Sequence, residues 1–166
     1  MNPCNFQRPY KLAVTGSIAC GKSTICYNLQ AAAKEENLPF TLIDVDEVRA
    51  EILQNDSVPE YAALQNSLFE CLGDGIKSVG GRVDRRRLSD LIFCESRAME
   101  AYSLIFDPFL VCCLEKMLGQ AKGIVLLEWA LIAEKNLLKL ADFNVLLVYC
   151  KPRLQAERLA GGDLPE

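Results

Sequence analysis

Residues 14–26 read VTGSIACGKSTIC, and within them Gly16 and Gly21 with Lys22 and Ser23 fill the spacing G-x-x-x-x-G-K-[ST]. Glycines between a strand and a helix let the backbone fold back so that successive N–H groups point inward, where a phosphate takes several hydrogen bonds at the positive end of the helix. Ser17, Ile18, Ala19 and Cys20 complete that cradle. Lys22 adds a mobile point charge for the outer phosphates, the Ser23 hydroxyl is placed to ligate Mg²⁺, and Thr24 continues the helix with its hydroxyl near an α-phosphate. The expectation is a site for a Mg²⁺-bound nucleotide.

A phosphate cradle alone serves a switch, a motor or a kinase. The base-reading and switch motifs D-x-x-G and N/T-K-x-D do not occur in the sequence, which argues against a GTP switch. Phosphoryl transfer to an alcohol needs a carboxylate near the acceptor hydroxyl as well as Mg²⁺. Asp46 is the candidate base, with Asp44 supporting it, and Glu128 at the end of an apolar run is placed to tune metal-bound water. A plainer reading stands beside these assignments. Asp44 and Asp46 also suit the N-terminal turn of a helix EVRAEIL through its dipole, and Glu128 also suits a strand end.

The elements that must hold these groups follow from the apolar pattern. Short strands are expected at residues 11–15, at FTLID, at GIVLLE and at residues 144–149. Helical spacing is expected over residues 22–36, from Ser57 and Pro59 to Leu72, over residues 84–93 and over residues 96–106. Asp107 as N-cap and Pro108 as first residue predict a fresh helix, LIAEKNLLKLA predicts another, and Pro152 starts a last one. The glycine-rich GDGIKSVGGRVD is a loop or small hairpin. Strands alternating with helices describe an α/β fold, a parallel β-sheet with helices on both faces, whose ligands bind at the carboxyl ends of the strands.

At 166 residues and 51% hydrophobic, the chain is expected to form one domain, and a net charge of −4 argues against a nucleic-acid partner and for a small molecule. The longest apolar stretch, residues 124–133, is too short to span a bilayer and the first ten residues carry no apolar signal, so a cytoplasmic location is expected. Eight cysteines without a C-x-x-C pair, and no histidine, predict reduced thiols used as small apolar groups, Cys20 among them.

The whole pattern resembles the dephospho-coenzyme A kinase family, of the nucleoside-monophosphate-kinase type within the P-loop NTPase fold. VTGSIACGKST resembles its opening loop, LIDVDEV its aspartate-x-aspartate segment, DRRRLSDLIF an acceptor-side segment, and EWALIAEKNLLKLADFNVLLVY a later acidic segment that keeps Glu128 and Glu134. The resemblance implies ATP and Mg²⁺ on residues 16–24, transfer to the ribose 3′-hydroxyl of dephospho-coenzyme A, and the second acid, Asp46, as base. It also implies acceptor contacts from Asp44, Arg85 and Glu134, a lid contact from Arg158, and a helical acceptor-side insertion at about residues 57–119 of a single domain with its core at about 11–160. Four departures accompany it. Asp107 stands for a histidine before Pro108, Ala130 for a proline, Arg49 for a helix arginine displaced by one place, and Gly162 for a lid arginine before Asp163. The family normally adds a further strand and helices after the point where this sequence stops, so a shortened relative or an incomplete product is expected, with an apolar edge at residues 144–149 and a monomer or weak self-association. A non-catalytic ATP-binding relative, or a different small-molecule P-loop kinase, remain open alternatives.

Overall fold

The structure, a computed structural model, describes residues 8–161. Four strands, β1 (Tyr10–Thr15), β2 (Phe40–Asp44), β3 (Ile124–Glu128) and β4 (Val145–Leu147), form one all-parallel sheet in the order β2-β3-β1-β4. Six helices accompany them: α1 (Lys22–Glu35), α2 (Val45–Gln54), α3 (Pro59–Leu72), α4 (Arg85–Cys94), α5 (Ser96–Gln120) and α6 (Pro152–Ala160). The expected α/β class with a parallel sheet is what the chain adopts.

The chain divides into two compact units. The first contains residues up to Val45 and those from Leu118 on, and the second is Asp46–Met117. In the first, β1 and β3 are the inner strands; β3 is buried from Val125 to Glu128 and β1 over its carboxyl half, Ala13 to Thr15, as strands covered on both faces are, while Tyr10 at the start of β1 is exposed. The chain leaves β1 toward the β2 side and leaves β3 toward the β4 side. The two connections diverge at the carboxyl ends of β1 and β3, which is where an open α/β sheet leaves a crevice for a ligand. Val14 pairs in register with Glu128, and Glu128 with Asp44. The loop after β1 and two acids are therefore set at one level of the sheet.

The second unit is helical. Leu64, Leu68 and Phe69 of α3 are buried, as are Leu88 and Ile92 of α4 and Phe106, Leu110 and Leu114 of α5, at the spacing of one helical face. Gln65, 2% exposed, donates its amide to the Ile52 carbonyl at 2.9 Å, which satisfies a polar group inside that packing. The glycine-rich segment forms a 3₁₀ turn at Asp74–Ile76 and an antiparallel bridge between Lys77 and Val83, as a small hairpin should.

Three local expectations are corrected. Asp107 and Pro108 do not open a new helix: α5 runs through them for 25 residues. The proline removes one N–H and orphans the Leu104 carbonyl, but Leu104 is 78% exposed and Pro108 is exposed, so water can take the bond. LIAEKNLLKLA is not one helix. Turns over residues 130–136 are followed by a 3₁₀ segment, Leu138–Ala141, and Asn136, Asp142 and Phe143 adopt left-handed φ values of 56°, 52° and 62° that break any continuous helix. The last strand is Val145–Leu147 rather than residues 144–149. It is an edge with Val145, Leu147 and the flanking Tyr149 exposed. Among the described residues, no helix is long and apolar enough to cross a membrane.

Gly123 opens β3 at φ +73°, and a Cβ there would lie 2.1 Å from the Pro39 carbonyl oxygen that receives the Ile124 N–H. Gly123→Ala should therefore cost on the order of 2 kcal/mol or more and lower Tm by several degrees in a thermal melt. An unchanged Tm would contradict the close approach.

Candidate active site

The loop between β1 and α1 starts at Gly16, whose φ is 145° and whose missing Cβ would fall 2.0 Å from the Val148 carbonyl oxygen. Only glycine lets the chain after β4 pass so close. At the other end Gly21, φ 98°, is the N-cap of α1. No side chain caps that helix and no acid stands in its first turn. Its leading N–H groups and positive dipole end are thus left for an external anion. Ala19 at φ 58° is held in a left-handed conformation that a non-glycine residue adopts only under constraint.

The constraint comes from α6 and the segment before it. Arg158 Nη1 donates to the Ala19 carbonyl at 3.0 Å, and Gln155 Nε2 donates to the Ile18 carbonyl at 2.8 Å. Arg158 Nη1 also lies 3.4 Å from where a Cβ on Gly21 would stand. Arg158 therefore reaches the loop. Gln155 does so too, although no sequence pattern marks it; the one signal is its place a helical turn before Arg158. Gly162 and Asp163 lie outside the described residues.

Within the cradle, Lys22 Nζ donates to the carbonyls of Gly16 and Ser17, each at 3.1 Å. Its ammonium is folded over the mouth of the loop. Ser23 Oγ donates to Glu128 Oε1 at 2.7 Å, and Glu128 is 6% exposed. Thr24 is exposed on α1, and Cys20 is buried with Val14, Cys26 and Leu126, in the space-filling role expected of it. A hydroxyl against a buried carboxylate beside an uncapped helix end is a hard, oxygen-donor corner that suits a small divalent cation which keeps its waters and shares a phosphate. Among the described residues no group of three or more acidic, cysteine or histidine side chains could hold a metal by itself.

Glu128 also accepts a hydrogen bond from the Cys26 thiol. Burial pushes that thiol up to about 12, with the charges of Glu128 and Asp44 adding to the rise and Lys22 opposing it. Beyond β3 the chain is fixed by Trp129 N–H to the Val14 carbonyl at 3.0 Å and by Thr15 Oγ1 to the Ala130 carbonyl at 3.0 Å. Glu134 follows on the turns and is exposed.

In the second unit Asp46 is an exposed acid in the first turn of α2. Arg49, one turn on, places Nη1 3.4 Å from Asp46 Oδ1, donates loosely from Nη2 to the Tyr102 hydroxyl at 3.5 Å, and stacks over Phe106 at 5.9 Å from the ring centroid. Burial alone would lower the guanidinium, but Tyr102, Asp46 and Asp107 more than offset it, so its basicity is held above the ordinary arginine value. Burial likewise pushes the Tyr102 phenol up, against the pull of Arg49. Sequence reasoning marked Arg49 only as displaced; its three-residue spacing from Asp46 was the available signal. Arg85 is exposed at the start of α4. Residues 16–24, Asp44, Glu128, Glu134 and Arg158 thus belong to the first unit, and Asp46 and Arg85 to the second.

A thiol with a pKa of about 12 is almost wholly protonated at pH 8, and the thiolate is the reactive form. Cys26 should stay unlabelled by iodoacetamide in the native protein while exposed Cys71, Cys94 and Cys112 react, as peptide mass mapping would show. Labelling of Cys26 at the rate of those three would contradict its pairing with Glu128.

Comparison with known proteins accords with this geometry. The family model CoaE, dephospho-CoA kinase, matches residues 10–163. The dephospho-CoA kinase of Enterococcus faecalis is 30% identical over 151 residues, covering 89% of this chain and 70% of that protein. That of Thermobifida fusca is 30% identical over 161 residues, covering 94% of this chain and 74% of that protein. A crystal structure from Thermus thermophilus superposes with a TM-score of 0.71 at 24% identity, over 95% of this chain and 74% of that one. The dephospho-CoA kinase of Campylobacter jejuni gives a TM-score of 0.55 at 23% identity over the same shares, so both structures speak for the fold. With a family match across almost its whole length, on a sheet whose carboxyl edge carries an uncapped glycine loop and a serine–glutamate pair, the chain belongs to the dephospho-CoA kinase family.

Proposed function

We propose that the chain transfers the γ-phosphoryl group of ATP to the ribose 3′-hydroxyl of dephospho-coenzyme A, the last step of coenzyme A synthesis, in the cytoplasm. The observation that carries this reading is the α1 N-terminus, which has neither a side-chain cap nor an acid in its first turn, with Lys22 above it and Ser23 bonded to buried Glu128. Helix α4 is capped by Asp84, which accepts from the N–H groups of Arg86 and Arg87 at 3.0 and 3.1 Å, whereas α6 also lacks a cap and a first-turn acid; what sets the α1 end apart is Lys22 folded over the loop together with the Ser23–Glu128 pair.

The roles follow from the chemistry of the groups. The loop N–H groups from Gly16 to Thr24 bind the phosphates. Lys22 exchanges the two loop carbonyls for phosphate oxygens when nucleotide enters. Ser23, oriented by Glu128, is the metal-side group, and a Mg²⁺ bound there supplies charge neutralisation on the phosphate oxygens. Asp46 accepts the proton of the acceptor hydroxyl. Arg49 stays charged beside it and fixes its rotamer. Arg158 supports the loop from its outer side, and Arg85, Asp44 and Glu134 are the acceptor-side contacts.

The departure at Gly162 favours a second reading, ATP binding without turnover, because an arginine on the transferring group is worth on the order of 10³ or more in rate. The two readings separate in an ADP-release assay with Mg-ATP, with and without dephospho-coenzyme A. Acceptor-dependent release is expected, reduced about 10²-fold or more by Asp46→Asn and abolished by Lys22→Ala. Release that ignores the acceptor, or its absence while ATP still binds, would overturn the proposal. Preference for a nucleoside acceptor would move the chain to a different kinase activity.

A further inference from the structure

Helix α4 begins with three consecutive arginines, Arg85, Arg86 and Arg87, and no acid stands in its first turn. A cation at a helix N-terminus is opposed by the dipole, so this arrangement works against the stability of the helix it starts. Arg87 is occupied, since its Nη1 donates to the Lys77 carbonyl at 2.9 Å and its Nε lies 3.5 Å from Asp84 Oδ2. Arg85 has its charge felt by the Tyr102 phenol, and no side-chain hydrogen bond is seen for Arg86 among the described residues. Both arginines line a cavity of about 430 Å³ whose wall is completed by Arg82, Val83, Asp84, Ser78 and Gln54.

Three arginines thus line the cavity beside one carboxylate, and that carboxylate is already engaged with the α4 N–H groups. A positive cavity of this kind stands out on a chain whose net charge is −4. Arginines present paired donors that match phosphate oxygens, and Ser78 adds a hydroxyl. Arg82 is steadied by Nη1 to the Gln54 carbonyl at 3.4 Å, at the C-terminal end of α2. Asp46 stands in the first turn of the same helix, and eight residues of α-helix span about 12 Å. That span exceeds the distance from the 3′-oxygen of a nucleotide ribose to its own 5′-diphosphate, so the arginine and aspartate side chains must reach toward each other from the two ends.

We infer that the cavity lined by Arg82, Arg85 and Arg86 binds the diphosphate of the acceptor, so that the phosphates anchor the molecule at one end of α2 and its ribose hydroxyl is presented toward the end that carries Asp46. The inference rests on the acceptor reading above and adds to it the part of the acceptor that is held and the residues that hold it.

The test uses the full chain saturated with ADP, which fills the phosphate loop, and inorganic pyrophosphate as probe in a calorimetric titration. The double variant Arg82→Gln/Arg86→Gln should weaken pyrophosphate binding about tenfold or more, and dephospho-coenzyme A binding in parallel, while adenosine, which lacks the diphosphate, binds both proteins alike. Arg86→Gln alone should weaken pyrophosphate binding without lowering Tm, because it removes a charge that the helix dipole opposes; this second variant separates recognition from folding. Equal pyrophosphate binding by wild type and variants, or dephospho-coenzyme A binding that does not follow it, overturns the inference. Arginine-dependent binding of dephospho-coenzyme A without any turnover would support the cavity while sinking the kinase reading.

Discussion

A single hydrogen bond ties the phosphate cradle to the sheet. Ser23 stands in the first turn of α1 and Glu128 ends β3, and the 2.7 Å contact between them joins the loop that leaves β1 to the strand beside it. A carboxylate only 6% exposed requires such a donor, since a buried charge without partners is expensive. The need is met by the Ser23 hydroxyl, the same group proposed above for the metal side. Much of the surrounding construction serves to keep this pair in place. Glycine at position 16 lets the Val148 segment press against the loop, Arg158 and Gln155 hold its carbonyls, and the Cys26 thiol donates to Glu128.

The proposed site residues fall in both units. The first carries the glycine loop, where strand register sets the positions of Val14, Glu128 and Asp44 to within a residue. The second carries Asp46 on a helix whose own Arg49, pinned by Tyr102 and Phe106, limits the freedom of the acid. Its charged groups are arranged against local helix preference at α4, and such departures from local rules tend to mark places where a ligand supplies the compensation.

What was legible in the sequence is what repeats with a period or a fixed spacing. The strands ending in Thr15, Asp44 and Glu128, the loop from Gly16 and the helices at Lys22 and Pro59 were readable from apolar runs, glycine pairs and helix starts. The failures lie where tertiary placement overrides a local signal. Asp107 and Pro108 have the composition of a helix start, yet the solvent exposure of Leu104 makes a proline inside α5 tolerable. LIAEKNLLKLA has helical spacing, but left-handed residues on either side of its second half turn it instead. The contacts of Arg49 with Tyr102, and of Gln155 with the loop, join residues 53 and 137 positions apart, and no spacing rule reaches that far.

The account stands on the claim that Ser23 and Glu128 together form the metal side of a nucleotide site. The most direct measurement is the affinity for Mg-ATP against metal-free ATP, in the wild type and in Glu128→Gln, by calorimetry. The account predicts that the wild type prefers the magnesium complex and that the variant loses that preference by about 10- to 100-fold while its affinity for metal-free ATP is kept. An undiminished preference in Glu128→Gln would contradict it, and would reduce the buried pair to a strut between helix and strand.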